Sequence, residues 1–236
     1  MLTDFELMNI HVRALFTHDA DSRLLFVNEP DTANAPAPRL FLGRTRAGNI
    51  WRFRADVPEK LCARLDALCA DEPPVKAEFK VPPRHFETYV RLLESAAPVR
   101  EVSNGLAYQF AESELPSERR LIAVTENNPE ILQGDFEKLV EELPDWQPFV
   151  ALVEEIGAVS VCRSVRITPE AHEAGVETLP DFRGKGYAKD VVLEWARLVR
   201  AAGANPLYST SWENTSSQAL ARKLRLKCYG TNFSVT

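Results

Sequence analysis

Nowhere does this sequence hold an uninterrupted apolar run approaching the ~18–20 residues of a membrane-spanning helix, so no such span is expected. Cysteine is scarce: Cys62, Cys69, Cys162 and Cys228 are too few and too scattered for a disulfide framework. A reducing, cytoplasmic setting is the expectation. No Cys-x-x-Cys occurs and the four histidines are dispersed, which leaves no recognisable metal site. The opening "MLTDFELMNI" carries acids and no basic cluster, so it does not read as a secretory signal. A broad basic surface is also missing. With 28 basic and 34 acidic side chains the net charge is −6, which argues against a general nucleic-acid binder. Internal repeats and low-complexity tracts are lacking too.

What is present suits an ordinary globular protein: 236 residues, 45% hydrophobic, enough for one large domain or two small ones. The charge is unevenly spread. Residues 1–100 carry 14 basic and 14 acidic side chains, residues 101–180 carry 5 and 16 (net −11), and residues 181–236 carry 9 and 4 (net +5). That pattern fits one compact anion bound near the C-terminal end, with a cationic partner nearby, or chance clustering on solvated faces.

Periodicity predicts a helix over 4–17, a strand over 23–28, a β-hairpin over 39–55 turning at "RAGN", and helices over 57–70 and 84–96. The loop "EPDTANAPAP" breaks the pattern, and Pro-Pro pairs at 73–74 and 82–83 place a domain boundary somewhere in 71–100. Beyond Val102 the order changes to successive strands at "GLAYQF", "RLIAVT", "QPFVALV", "GAVSVCRSVRI" and "EAGVETL", with a helix at 135–142. The remainder alternates helix 184–202, strand 207–212, helix 215–226 and strand 228–235.

One stretch stands out. In "LPDFRGKGYAKD" (179–190), Gly184 and Gly186 lie between Arg183, Lys185 and an amphipathic helix whose stripe is Tyr187, Val191, Trp195, Leu198 and Ala202. Unpaired amides at a helix start attract anions, and glycines let a phosphate approach the backbone. A packing device or a plain loop are the bland alternatives. A Walker-type loop is ruled out because its Gly-x-x-x-x-Gly-Lys-Ser/Thr spacing is not met. The dinucleotide fingerprint fails as well, since Lys189 stands where its third small residue belongs.

Arg183, Gly186 and Ala188 satisfy instead Arg/Gln-x-x-Gly-x-Gly/Ala, which resembles the pyrophosphate signature of the GNAT superfamily of acetyl-CoA-dependent N-acetyltransferases. "GVETLPDFRGKGYA" is similar to that family's fourth strand and third helix, and "YSTSWENTSSQALARKLRLKCYGTNF" to the strand–helix–strand that follows. The resemblance covers ~156–236 by motif and 102–155 by element order. It implies an α/β fold of α+β type: a mixed, mostly antiparallel sheet with splayed fourth and fifth strands, in an acyltransferase domain over 101–236. Residues 1–100 would add a smaller N-terminal α/β domain, as a degenerate copy of the fold, a lid or a homodimer surface.

The same resemblance implies that backbone groups of Val176 and Thr178 hold the pantetheine arm of acetyl-CoA. Residues Arg183, Gly184, Lys185, Gly186, Tyr187 and Ala188 would cradle the pyrophosphate, with Asn214 and Ser217 on the far side. Arg222, Lys223, Arg225 and Lys227 are either contacts for the adenosine phosphate or a favourable basic helix end. Catalysis would be direct attack by a small-molecule amine, releasing CoA, with Glu177 as base and Glu173 and His172 as weaker candidates. The family's usual acidic tyrosine position is Ala221 here, so Tyr229, Tyr187 or Cys228 would have to substitute, unless the thiolate leaves unaided. Asn214 also reads as an ordinary N-cap, and Trp51 and Trp212 as core residues or acceptor-pocket walls. A small, cationic or aminoacyl-type primary amine is the expected acceptor, with no nucleic acid and no membrane. The alternative is a non-catalytic CoA-binding or sensing module of the same fold.

Overall fold

The computed structural model describes residues 2–30, 34–111 and 119–236. Part of the "EPDTANAPAP" loop (31–33) therefore lies outside the described residues. Nine strands form one sheet: β3 (Leu40–Thr45), β4 (Gly48–Phe53), β5 (Val102–Gln109), β6 (Leu121–Val124), β7 (Phe149–Glu154), β8 (Gly157–Ile167), β9 (Ala171–Thr178), β10 (Asn205–Ser211) and β11 (Lys227–Val235). Their order is β4-β3-β11-β5-β10-β9-β8-β7-β6, and β1 (Phe16–His18) and β2 (Leu24–Val27) make a separate ribbon. Only β9 and β10 run parallel among these sheet neighbours. The hairpin from the first hundred residues thus joins the same sheet as the C-terminal strands, through β3 on β11.

Side-chain alternation along each strand assigns the helices to faces. On β5, Ala107 packs with α1 (Asp4–Leu15), while Leu106 and Tyr108 pack with α4 (Tyr187–Ala201). On β3, Phe41 joins the α1 cluster, while Leu40 and Leu42 pack with α2 (Glu59–Asp71) and α3 (Phe86–Glu94). On β7, Phe149 and Ala151 face Phe136, Leu139, Leu143 and Trp146, and Val150 and Leu152 face Trp195 of α4. One face therefore carries α2, α3, α4 and α5 (Thr215–Lys223), and the other carries α1 and the 129–146 segment.

The helix expected at 135–142 does not form. The segment holds only one short 3₁₀ turn, Glu137–Leu139, and another, Pro129–Leu132, precedes it, with Gly134 at φ +86° between them. Apolar packing of Leu132, Phe136 and Leu139 holds the chain there in place of a helix. The helix expected from 184 begins at Tyr187, because Gly184 and Gly186 sit at φ +80° and +87°. It ends as expected beside Gly203, φ +87°.

Candidate functional site

The parallel pair β9/β10 is brief. Its register runs Asn205↔Ala171, Pro206↔His172 and Leu207↔Glu173, and beyond those residues the two strands are no longer partners. β9 stays bonded to β8 and β10 to β5, so the sheet opens as a fork between them. A cleft of about 710 Å³ fills the opening. Val176, Glu177 and Thr178 line it from β9, Tyr208 from β10, Arg183, Gly184, Gly186, Tyr187 and Ala188 from the turn, and Asn214 and Ser217 from α5.

The open edge of β9 offers backbone that no neighbouring strand takes up. The Leu179 amide donates to the Val159 carbonyl (3.0 Å), and Ser160 Oγ donates to the Glu177 carbonyl (3.1 Å). Backbone groups aimed at a neighbouring strand recur every second residue. Glu177 and Leu179 therefore point to β8, and Val176 and Thr178 point into the fork. Arg183 Nε donates to the Thr178 carbonyl (3.2 Å) from that side.

At the end of β9 the chain enters the glycine turn. No amide from Gly184 to Ala188 donates to another group among the described residues, while the Arg183 amide is taken by the Pro180 carbonyl (3.2 Å). A Cβ built on either glycine would meet nothing within 4 Å, so the space above these amides is open. Left-handed φ favours glycine at both positions. The bare amides converge on the N-terminus of α4, where the helix dipole adds positive potential, and Lys189 and Lys223 line the same cleft. An extended chain along the fork and a pyrophosphate at the turn match these donors.

The far wall is built by α5. Asn214 caps it, accepting the Ser217 amide at 2.9 Å. Tyr208 is buried and its hydroxyl lies 2.6 Å from Ser217 Oγ; burial pushes it above the usual phenol range, against the Ser217 bond. Ala221 is buried in the α4 core cluster.

Glu177 projects to the α1 face. Arg163 Nη1 donates to it at 2.9 Å, with Lys138 Nζ at 3.9 Å. Arg163 lies 4.4 Å over the Trp146 ring and 3.8 Å from Glu142. Asp135, Phe136 and Lys138 bring the 129–146 segment to this side of the cleft.

Many of the residues picked from sequence line one cleft, and several do not. Lys185 is not among its lining residues, and its ammonium lies 4.5 Å over the ring of Phe182, which is one of them. Tyr229 requires correction as a proton donor: it is fully buried in the α1 cluster, outside the cleft lining, and its hydroxyl lies 2.8 Å from His11 Nδ1. The bulge between Cys228 and Gly230 in β11 turns its side chain to that face. Cys228 does not line the cleft either. Burial pushes its thiol up to about 11. Trp51 donates to Asp66 and Trp212 to Thr231, both away from the cleft lining.

Glu173 is no free base. Burial favours its neutral form, but Arg166 (2.6 Å) and bonds from His11 (3.3 Å) and Ser209 outweigh that and hold the carboxyl well below its ordinary range. His172 faces the other way, with Nδ1 3.0 Å from Ser164 Oγ, and burial lowers its pKa. Sequence reasoning missed Arg163, Asp135, Lys138 and Tyr208, because nothing in their local pattern marks them as neighbours of the turn. Among the described residues no group of His, Cys, Asp and Glu suits a metal ion, and no helix is long and apolar enough to cross a membrane.

Residues 168–233 match the family model described as FR47-like protein, which is GNAT-related. No curated protein matches the chain in sequence. Among solved structures, a GNAT-family chain from Novosphingobium aromaticivorans is 18% identical over 58% of this chain and 65% of its own, with a TM-score of 0.43. This chain thus spans just under two thirds of that relative. A GCN5-related N-acetyltransferase-like protein from Streptococcus suis is 18% identical over 87% of this chain and 86% of its own, with a TM-score of 0.48. An aminoglycoside N-acetyltransferase solved with CoA is 21% identical over 44% and 89%, with a TM-score of 0.38. The family match therefore covers the chain from β9 through most of β11.

Proposed function

We propose that the protein is an acetyl-CoA-dependent N-acetyltransferase acting on the primary amine of a small cationic acceptor, in a cytoplasmic setting. The observation that carries this reading is the fork between β9 and β10 ending in a turn of bare amides. Its donors suit both parts of CoA: backbone of Val176 and Thr178 for the pantetheine amides, and residues 184–188 for the pyrophosphate. The match of residues 168–233 to the FR47-like family supports it.

Bound acetyl-CoA supplies an activated acyl carbon. Glu177, oriented by Arg163, accepts the proton the amine gives up, directly or through water. The carboxylates of Glu177 and Asp135 at one end of the cleft favour a cation. We assign acyl transfer to residues 101–236, and a buttressing role to residues 1–100, whose α1 supplies His11 to Glu173 behind the fork.

The test pairs binding with turnover. Thermal unfolding is followed with CoA, acetyl-CoA and ATP, and thiol release from acetyl-CoA is then screened across small amines. A ligand at ~100 times its Kd adds about 2.7 kcal/mol, a shift of several degrees for a chain this size. Both CoA species are expected to shift the transition, ATP not, and a cationic amine to trigger release. No shift would sink the reading. A shift without release by any amine would favour the CoA-binding module that has lost chemistry.

A further inference from the structure

The glycine turn is gripped from outside by Arg119, which stands just before β6. Both terminal guanidinium nitrogens of Arg119 donate to the Lys185 carbonyl, each at 3.1 Å. The same guanidinium lies 4.5 Å over the Tyr187 ring and 3.4 Å from the Asp190 carboxylate. Phe182 stacks with Tyr187, ring centroids 6.1 Å apart, and the Glu154 carboxylate raises the pKa of the Tyr187 hydroxyl. The turn is thus tied to the far edge of the sheet through Arg119, just before β6.

These contacts have a directional consequence. In a trans peptide the C=O and the following N–H point opposite ways, and the 185–186 bond is trans. Fixing the Lys185 carbonyl on Arg119 turns the Gly186 amide away from Arg119. Gly186 lines the cleft, whereas Lys185 does not. Glycines on both sides of Lys185 leave this peptide plane free to rotate unless something holds it.

The geometry points to Arg119 as a positioning residue that presets the phosphate-binding amides, and this inference rests on the acetyl-CoA reading above. The ligand class it serves is the pyrophosphate half of a nucleotide-bearing thiol, not the pantetheine arm. Its planar fork matters because a lysine ammonium gives the charge without the paired, in-plane bonds.

The test compares wild type, Arg119→Ala and Arg119→Lys by titration with CoA and with pantetheine, alongside unfolding temperature without ligand. Arg119→Ala is expected to weaken CoA about tenfold, the worth of one charge-assisted hydrogen bond, and to leave pantetheine binding and the ligand-free transition unchanged. Arg119→Lys is expected to stay near the alanine variant. Equal loss for CoA and pantetheine, no loss for CoA, or full recovery by lysine would each overturn the positioning role. Wild-type protein that binds pantetheine but not CoA would overturn it as well. Wild type binding neither would remove the acetyl-CoA reading itself, a distinct result.

Discussion

Arg163 Nη1 on β8 stands 2.9 Å from Glu177 Oε1 on the neighbouring strand β9. The pair fixes the Glu177 carboxylate at the edge of the fork. Glu177→Gln is therefore expected to lower kcat/KM with acetyl-CoA by roughly 10²–10⁴-fold, while CoA still shifts the unfolding transition. A variant with near wild-type turnover would move the base elsewhere.

At Gly186, φ is +87°. Gly186→Ala forces an L side chain into that region at a cost of about 1–2 kcal/mol, although the added methyl meets no neighbour. The expected outcome is a melting temperature several degrees lower and a smaller CoA-induced shift, both read by calorimetry. An unchanged melt would mean that the turn relaxes freely.

Glu173 makes the protein sensitive to acid. Its folded pKa is depressed, so its stabilising contribution is complete above the unfolded value of about 4.3 and is lost as pH falls through the lower, folded one. Wild-type stability should decline across that acid window, and Glu173→Gln should show a flatter curve. At neutral pH the variant is expected to lose about 3–5 kcal/mol, because a buried ion pair is broken and Arg166 keeps only Glu29. Urea unfolding at pH 7 and at successively lower pH separates the two effects.

Tyr208 ties β10 to α5 through Ser217. Tyr208→Phe keeps the ring on Tyr108 and removes the hydroxyl, so about 1 kcal/mol of stability is expected to go. The midpoint of a denaturant titration checks this. No change would mean that water satisfies Ser217 equally well.

Local pattern read most of the elements correctly: the α4 stripe, the 39–55 hairpin and the strand–helix–strand at the C-terminus all follow from apolar spacing and capping residues. It failed at 135–142, where Glu137, Lys138 and Glu141 look helical but Gly134 and tertiary packing win. Tyr229 shows the limit for site residues. Its burial depends on a one-residue bulge in β11, which flips the side chain to the other face, and no sequence signal marks it.

The glycine turn is legible in the sequence, because Gly184 and Gly186 precede an amphipathic stripe, whereas their left-handed φ, which delays the helix to Tyr187, is not. Nor is the fork. It arises because β9 finds its partner in β8 and β10 in β5, and these long-range pairings diverge after Glu173 and Leu207. For the same reason only the tertiary structure brings Arg119 to Lys185, Arg163 to Glu177 and the β3–β4 hairpin to β11. Spacing along a chain encodes what a few neighbouring residues do together, whereas contacts between distant strands depend on which edges the whole sheet leaves to be paired.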